Sequence, residues 1–322
     1  MVEVRELTKK FKDFMAVDSI TFDVREGEIF GLLGPNGAGK TTTIRMLITL
    51  IPPTSGSATV AGYDIIKEKD SVGESIGIVF QDPALDRQLT GRENLDFHAR
   101  MYNMPKNERV PKIEEVLDLA DLTEKADELV ENYSGGMQRR LEIARGLMHA
   151  PKVLFLDEPT LGLDAQTRRK IWDYIQKLNK SQTTTISLTT HYMDEADYLC
   201  DRVGIMDKGK IVALDTPKNL KNLIGADVVT LEVECGDCET FKELDYVKEM
   251  VKHDGFISLS VESGERKIPL LMEFAHSKNI RVESVELHKP SLEDVFLHYT
   301  GTTIRERNSS GEENRRRMRM RG

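Results

Sequence analysis

The 322-residue chain is poor in cysteine (three) and in tryptophan (one), and aromatic residues make up 6% of it. Three cysteines are too few for a disulfide-built scaffold. Cys235-Gly-Asp-Cys238 has redox or metal-ligand spacing, but no second Cys/His pair lies near it to complete four zinc ligands. Two cysteines in and beside a small strand is the favoured reading there. No apolar run approaches the roughly 18 residues that a membrane span requires, and the N-terminus, MVEVRELTKK, has no apolar signal core. The expectation is a chain that stays on the cytoplasmic side and cannot cross a bilayer by itself. Positive charge is also in deficit, with a formal net charge of −9, which argues against a nucleic-acid-coating protein. No internal repeat is visible.

Apolar residues at 39% and charged residues at 31% describe a globular protein of about two domains. The first part alternates strand and helix patterns. Ser19–Val24 and 28–33 read as strands joined by a turn, and IGIVF at 76–80 as a buried strand. A largely helical stretch runs from about Leu89 to Ala150, followed by apolar strands at 153–157 and 183–191. Strands separated by helices predict a parallel, doubly wound sheet. Composition changes near residue 222. Thr216-Pro217 has the form of a helix start and Gly225 of a stop. Beyond it, Val229, Leu231, Val233 and then Ile257, Leu259, Val261 alternate with polar residues, which predicts half-buried strands. With helical stretches at 267–278 and 291–299 they suggest a small α+β domain. After Ile304 there are seven arginines against three glutamates and no periodicity, so a disordered tail is expected. Contact of Arg315–Arg317 with anionic lipid is the lesser reading of that tail, and the Met101/Met104 and Met318/Met320 pairs read as packing or tail composition.

Gly34, Pro35, Asn36, Gly37, Ala38, Gly39, Lys40 and Thr41 fit the pattern G-x-x-x-x-G-K-[ST], between a predicted strand and a predicted helix that runs on through Thr42. Glycines let backbone N–H groups close on phosphate oxygens, and the helix N-terminus adds partial positive charge. Lys40 would reach the β- and γ-phosphates, and the Thr41 hydroxyl would ligate Mg2+. VLFLDE at 153–158 supplies the complement: Asp157 at a strand end can hold the Mg2+ shell, and Glu158 is placed to activate water. No N-K-x-D base-reading motif is present, which argues against a GTPase. Ser134, Gly135 and Gly136 open another helix with no side chains to block approach, a second anion site. One fold seldom needs two triphosphate sites. The economical arrangement is two chains paired head to tail, each capping the other's nucleotide.

GPNGAGKTT, YSGGMQRR, VLFLDEPTLGLD and TTHYMDEAD, in this order and spacing, resemble the Walker A, signature, Walker B with D-loop, and H-loop motifs of ABC-transporter nucleotide-binding subunits. That resemblance covers residues 1 to about 220. QDPALDRQLTGREN between Gln81 and Asn94, with LEDVFL at 292–297, is similar to the daunorubicin-resistance, multidrug-export subfamily and extends it to about residue 301. Met137 departs from the Gln that many such proteins have, but the Ser-Gly-Gly is intact.

The resemblance implies a P-loop NTPase core with an antiparallel β subdomain and an inserted helical subdomain, plus a small C-terminal α+β domain. The expected boundaries are 1–221 for the ATP-binding domain, with its helical subdomain at about 82–150, then 222–303, and a tail at 304–322. By resemblance, Gln81 senses Mg2+ and the γ-phosphate, His191 contacts the γ-phosphate, and Asp164 crosses the dimer interface. Phe11 sits where an aromatic stacks on adenine; a core Phe on an edge strand and the neighbouring Phe14 remain open alternatives.

The implied function is ATP hydrolysis that drives export of a drug-like or lipophilic substrate through separate permease subunits. The implied location is the cytoplasmic face of the cell membrane, held peripherally. The alternative is a soluble ABC-type ATPase of DNA repair or translation. The first would need a long coiled-coil insert between Lys40 and Ser134, and no sustained heptads occur there; the second would need two cassettes. A non-catalytic module would be expected to lack Glu158 or His191.

Overall fold

The computed structural model describes residues 1–182, 184–224, 227–234, 239–253, 256–278 and 280–301. The cysteine pair Cys235/Cys238, Gly225 and the Arg-rich tail lie outside the described residues. The chain divides into two compact units between Ile211 and Val212, ahead of the composition change near 222.

In the first unit, β1 (Val2–Phe11) and β2 (Phe14–Val24) precede β3 (Ile29–Leu33) and α1 (Lys40–Leu47). Then come β4 (Ser55–Val60), β5 (Tyr63–Asp64), α2 (Lys69–Ser75) and β6 (Ile76–Val79). The helical stretch is three helices, α3 (Gly91–Met101), α4 (Lys106–Leu119) and α5 (Gly135–Gly146), with two single 3₁₀ turns between the last two. After these run β7 (Val153–Asp157), α6 (Ala165–Gln182), β8 (Thr185–Thr190), α7 (Met193–Leu199) and β9 (Arg202–Asp207). The division into units falls inside β10 (Lys210–Asp215).

The main sheet has six strands in the order β10-β9-β3-β8-β7-β6, with β9 through β6 parallel. Every residue of β3, β7 and β8 is buried, as expected where crossover helices cover both faces of a parallel sheet. An antiparallel sheet, β2-β1-β4-β5, forms a second layer, and Phe22 of β2 stacks on Phe30 of β3 at 5.2 Å between centroids. The expectation of a doubly wound core with an antiparallel subdomain is met. In the helical segment, α3 starts at a capping box in which Thr90 and Glu93 bond reciprocally. Arg92 of α3 pairs with Asp127 in the turn region, and Asp96 of α3 pairs with Arg109 of α4.

Parallel register brings the working ends together. Leu33 pairs with Thr190, Asp157 with Thr189 and Val79 with Leu156. The segments after β3, β6, β7 and β8 therefore all leave from the carboxyl edge of adjacent strands, where ligands bind in open α/β sheets.

The second unit contains α8 (Pro217–Ile224), β11 (Asp227–Glu234), β12 (Val247–His253) and β13 (Phe256–Val261). It continues with α9 (Gly264–Ser277), β14 (Arg281–His288) and α10 (Leu292–Thr300). Its antiparallel sheet runs β12-β13-β11-β14. Thr216 caps α8, its hydroxyl accepting from the Asn219 N–H at 3.1 Å. Val229, Leu231, Val233, Ile257, Leu259 and Val261 are all buried, around Phe241, which meets Phe274 edge-on at 5.3 Å. One expectation is corrected. The polar face of β13 is covered rather than solvated: Ser258 and Ser260 are buried, because α8 and α10 pack together over that side. Ser260 Oγ accordingly donates to the Ile224 carbonyl at 2.9 Å, which satisfies a buried hydroxyl.

Candidate active site

β3 runs buried to Leu33 and the chain turns through residues 34–39 into α1. Gly39, the N-cap of α1, has φ 108° and provides no side-chain cap. A Cβ there would stand 2.5 Å from the Ala16 carbonyl oxygen, so only glycine permits this turn. Asn36 and Gly37 are exposed at the tip, while Pro35 and Ala38 are buried and Thr41 and Thr42 half-buried. The loop curls around its own lysine. Lys40 is 5% exposed, and its Nζ donates to the Gly34 and Pro35 carbonyls at 2.6 and 3.2 Å.

Two acids stand opposite. The Thr41 and Thr189 hydroxyls both donate to Asp157 Oδ1, at 3.1 and 2.6 Å. Glu158 has φ 51°, a left-handed conformation costly for a side chain of this kind. Its N–H donates to Thr189 O at 3.2 Å and Thr189 Oγ1 at 3.1 Å. Its carboxylate is gripped from both sides: Oε1 lies 3.1 Å from Lys40 Nζ and Oε2 2.7 Å from His191 Nδ1. Burial by itself raises the carboxyl pKa, but His191 and Lys40 together outweigh that and hold it below the usual carboxylate range. Glu158 is therefore an anion at neutral pH. The result is a buried, ionised acid beside a lysine, a histidine and an Asp/Thr oxygen pair.

The other residues singled out by their motifs lie apart from this cluster. Ser134 caps α5, its Oγ accepting from the Met137 N–H at 3.3 Å. Ser134 and Gly135 are exposed and share no hydrogen bond with the Lys40–Glu158 group. A Cβ on Gly136 would come 2.5 Å from Thr167 Cγ2, so the turn lies close against α6. Gln138 Nε2 folds back to the Val130 and Tyr133 carbonyls. Gln81 is exposed, two residues past β6. Asp164 caps α6, accepting from the Thr167 N–H at 3.0 Å and hydroxyl at 2.6 Å. Phe11 ends β1, paired with Phe14 across the hairpin; they are 46% and 63% exposed.

Two buried charged groups are not announced by the sequence. Glu195, fully buried, accepts from Thr160 Oγ1 at 2.7 Å and Trp172 Nε1 at 2.9 Å, and burial raises its pKa. Arg139, 7% exposed, donates to the Phe80 carbonyl and to the carbonyls of the acid pair itself, Asp157 and Glu158. Both lie within the motif stretches YSGGMQRR and TTHYMDEAD, but at positions whose burial and partners those motifs do not reveal. The one local signal is an Arg and a Glu three apart, Arg139 and Glu142, on a helix face that has to be buried.

A glycine-rich loop that folds over a lysine, at the carboxyl edge of a parallel sheet and facing two acids, defines a P-loop nucleoside triphosphatase. Residues 17–161 match the ABC transporter family, and residues 216–300 match the C-terminal domain of ATP-binding proteins like DrrA1-3. The linearmycin resistance ATP-binding protein LnrL of Bacillus subtilis is 38% identical over 95% of this chain and 100% of its own length. The daunorubicin resistance ATP-binding protein DrrA2 of Streptomyces coeruleorubidus is 39% identical over 93% of this chain and 95% of its own. Among solved structures, cbiO1 of Clostridium perfringens, part of the ABC transporter complex cbiONQ, superposes with TM-score 0.65 at 30% identity, over 70% of this chain and 92% of its own. The ATP-binding cassette MJ0796, solved as a dimer bound to ADP and Pi, gives TM-score 0.59 at 28% identity, over 67% and 98%. The chain belongs to the ABC transporter ATP-binding proteins, in the daunorubicin-resistance group, and it is an ATPase. A DNA-repair or translation role is not favoured by these relatives. Among the described residues no helix is long and apolar enough to cross a membrane.

Proposed function

We propose that this chain hydrolyses ATP between two copies of itself and so drives export of a drug-like or lipophilic compound through a separate permease. The observation that carries the reading is the double grip on Glu158 by Lys40 and His191. Both of those groups can bind phosphate oxygens. When a triphosphate enters the loop of residues 34–42, Lys40 turns to the β- and γ-phosphates and His191 to the γ-phosphate. Glu158 is then free to accept a proton from water as it attacks in line. Held below the usual carboxylate range by His191 and Lys40, it is already deprotonated when the triphosphate arrives.

The oxygens of Thr41 and Asp157, 3.1 Å apart, are hard donors of the kind Mg2+ prefers. These two residues, with Gln81, would hold the ion, which supplies neutralisation of phosphate charge. The Ser134-Gly135-Gly136 turn, exposed at Ser134 and Gly135 and close at Gly136 to Thr167, the residue Asp164 bonds, faces the second copy's γ-phosphate. Phe11 stacks on adenine. The dimeric cassette among the solved relatives supports the paired arrangement, and the resistance proteins support the export reading.

Residues 1–221 act as the ATP-binding domain, with 82–150 as the helical subdomain, and 222–303 as an accessory domain for assembly or coupling. The surface around Gln81 and the helices after it faces the permease at the cytoplasmic face of the membrane. Vesicle flotation tests this. The chain should float with membranes only when its permease is co-expressed. Salt-resistant flotation of the chain alone would contradict it.

A further inference from the structure

Arg139 is a buried arginine in an unusual place. It lies on α5, five residues after the Ser134 cap, and its guanidinium points at the ends of β6 and β7. An arginine has five N–H donors in a rigid fork, and here five acceptors meet them. Nε donates to Pro159 O at 2.7 Å. Nη1 donates to Phe80 O at 2.7 Å and to Glu142 Oε2 at 2.9 Å. Nη2 donates to Asp157 O and Glu158 O, each at 3.2 Å. Four of the five acceptors are backbone carbonyls.

One of those carbonyls, Glu158 O, also accepts from the Leu161 N–H at 3.2 Å. The β6–β7 ladder ends at Val79 and Leu156, and the β7–β8 ladder at Asp157. Phe80, Asp157, Glu158 and Pro159 all lie at or past that limit, so the guanidinium replaces the missing strand neighbour. Glu158 is also the residue held at φ 51°. A left-handed conformation persists only where its surroundings over-determine it, and the bonds on the carbonyls before, at and after this residue do so.

The arrangement reaches further through Glu142, which is 2% exposed. Its second oxygen accepts from the Ala84 N–H at 2.8 Å, and Arg145 Nη1 bonds the Ala84 carbonyl from the same helix face. The loop that begins at Gln81 is thus fastened to α5 by the same pair that fastens Glu158.

We infer that Arg139 is a positioning residue for hydrolysis: it fixes the backbone of Glu158 and links it to the helix of the Ser134 turn and to the Gln81 loop. This rests on Glu158 being the base. Lysine at 139 keeps the charge and the pair with Glu142 but has one nitrogen, so at most three of the five bonds survive. Glu158 then loses its alignment, while the phosphate loop, which Arg139 does not touch, still binds ATP.

The test measures steady-state kcat and KM for MgATP on the full chain, together with Tm. Arg139→Lys is made in two backgrounds, native and Glu158→Gln. In the native background kcat should fall about 10–100-fold, the effect of a misplacement on the order of 1 Å, with KM changed less than about 3-fold. In the Glu158→Gln background the same substitution should lower the residual rate by less than about 3-fold, since the group it positions is gone. A merely structural arginine would lower Tm and raise KM without the selective loss of kcat, or would act equally in both backgrounds. Either result overturns the inference, as does native kcat in folded Arg139→Lys. Should Arg139→Lys fail to fold, Arg139→Gln/Glu142→Gln, which removes both buried charges together, is read by the same criteria. Failure of the base assignment is separate: it appears as native turnover in Glu158→Gln alone.

Discussion

The two units bury opposite kinds of interior. Residues 1–211 hide Lys40, Arg139, Glu142, Asp157, Glu158 and Glu195, with a run of threonines along β8, whereas residues from 212 onward bury only Ser258 and Ser260 among the described polar side chains. Buried charge is costly unless it is paired and hydrogen-bonded. The first unit accepts that cost chiefly at the carboxyl edge of its sheet, where each of these side chains has a named partner; Glu28, buried at the opposite end of β3, pairs with Arg202 at 3.4 Å. The second spends its interior on apolar contact around Phe241, Leu259 and Leu271. The difference separates a unit built to do chemistry from one built to hold a shape.

The contrast between the units is most exposed to test at Lys40. Lys40→Met removes the charge that faces Glu158 and the phosphates, so ATPase turnover should fall by roughly 10²–10³-fold or more. Because it leaves Glu158 with His191 alone, Tm should also drop. A variant retaining most of its turnover would remove the first unit's chemical character. In the second unit the large effect should be on stability. Phe241→Ala empties a fully buried site and should cost about 3–5 kcal/mol in that unit's unfolding transition, read by calorimetry. ATPase turnover measured below that transition should stay within about 2-fold. Loss of turnover with an unchanged calorimetric profile would reverse the roles assigned to the two units.

A smaller, sharper contrast concerns pH. Burial, with Arg145 and His149 adding, lowers the His98 pKa from 6.5 to about 4. Between pH 6.5 and about 4 the unfolded chain takes up a proton that the folded first unit does not, so stability there falls on acidification. Allowing for its partial exposure, this amounts to roughly 1–2 kcal/mol. His288 has the opposite sign. Asp294, 3.0 Å away, raises its pKa, so its contribution is present below pH 6.5 and fades as pH rises through the folded value. Asp294 is itself held below the usual range by the same network, although burial opposes this. The calorimetric transition of the first unit should therefore drop more steeply from pH 6.5 to 4 than that of the second. His98→Gln should flatten the first slope, and a slope unchanged by it would remove His98 as the cause.

What could be read in advance follows the same division. Lys40, Thr41, Asp157 and Glu158 were legible because each motif is contiguous and its chemistry needs those types at that spacing. The parallel sheet was legible from the fully apolar strands at 153–157 and 76–80. The pairing of Glu158 with both Lys40 and His191 was not, since it joins three segments that only the strand register brings side by side. Arg139 was invisible for a related reason. A charged residue on a helix reads as a solvated face, and nothing local says that β6 and β7 leave carbonyls for it to satisfy. Asp164 was placed by resemblance alone, and its capping bonds to Thr167 show a local job that a D-x-x-T pattern could have announced. In the second unit, alternation along β13 predicted a solvated serine face. It could not foresee that α8 and α10, one before and one after the sheet in sequence, would close over it.

The central claim, that Glu158 is the base of a site completed by a second copy, is tested most directly by Glu158→Gln. The substitution keeps the shape and removes the charge. Turnover should fall by about 10²–10⁴-fold, the usual contribution of a positioned base, while MgATP still binds. Size-exclusion chromatography should then show a stable dimer with MgATP and a monomer with ADP, and adding Ser134→Arg should abolish the dimer. A Glu158→Gln protein that stays monomeric with MgATP and hydrolyses it at the native rate would contradict both the base and the shared site.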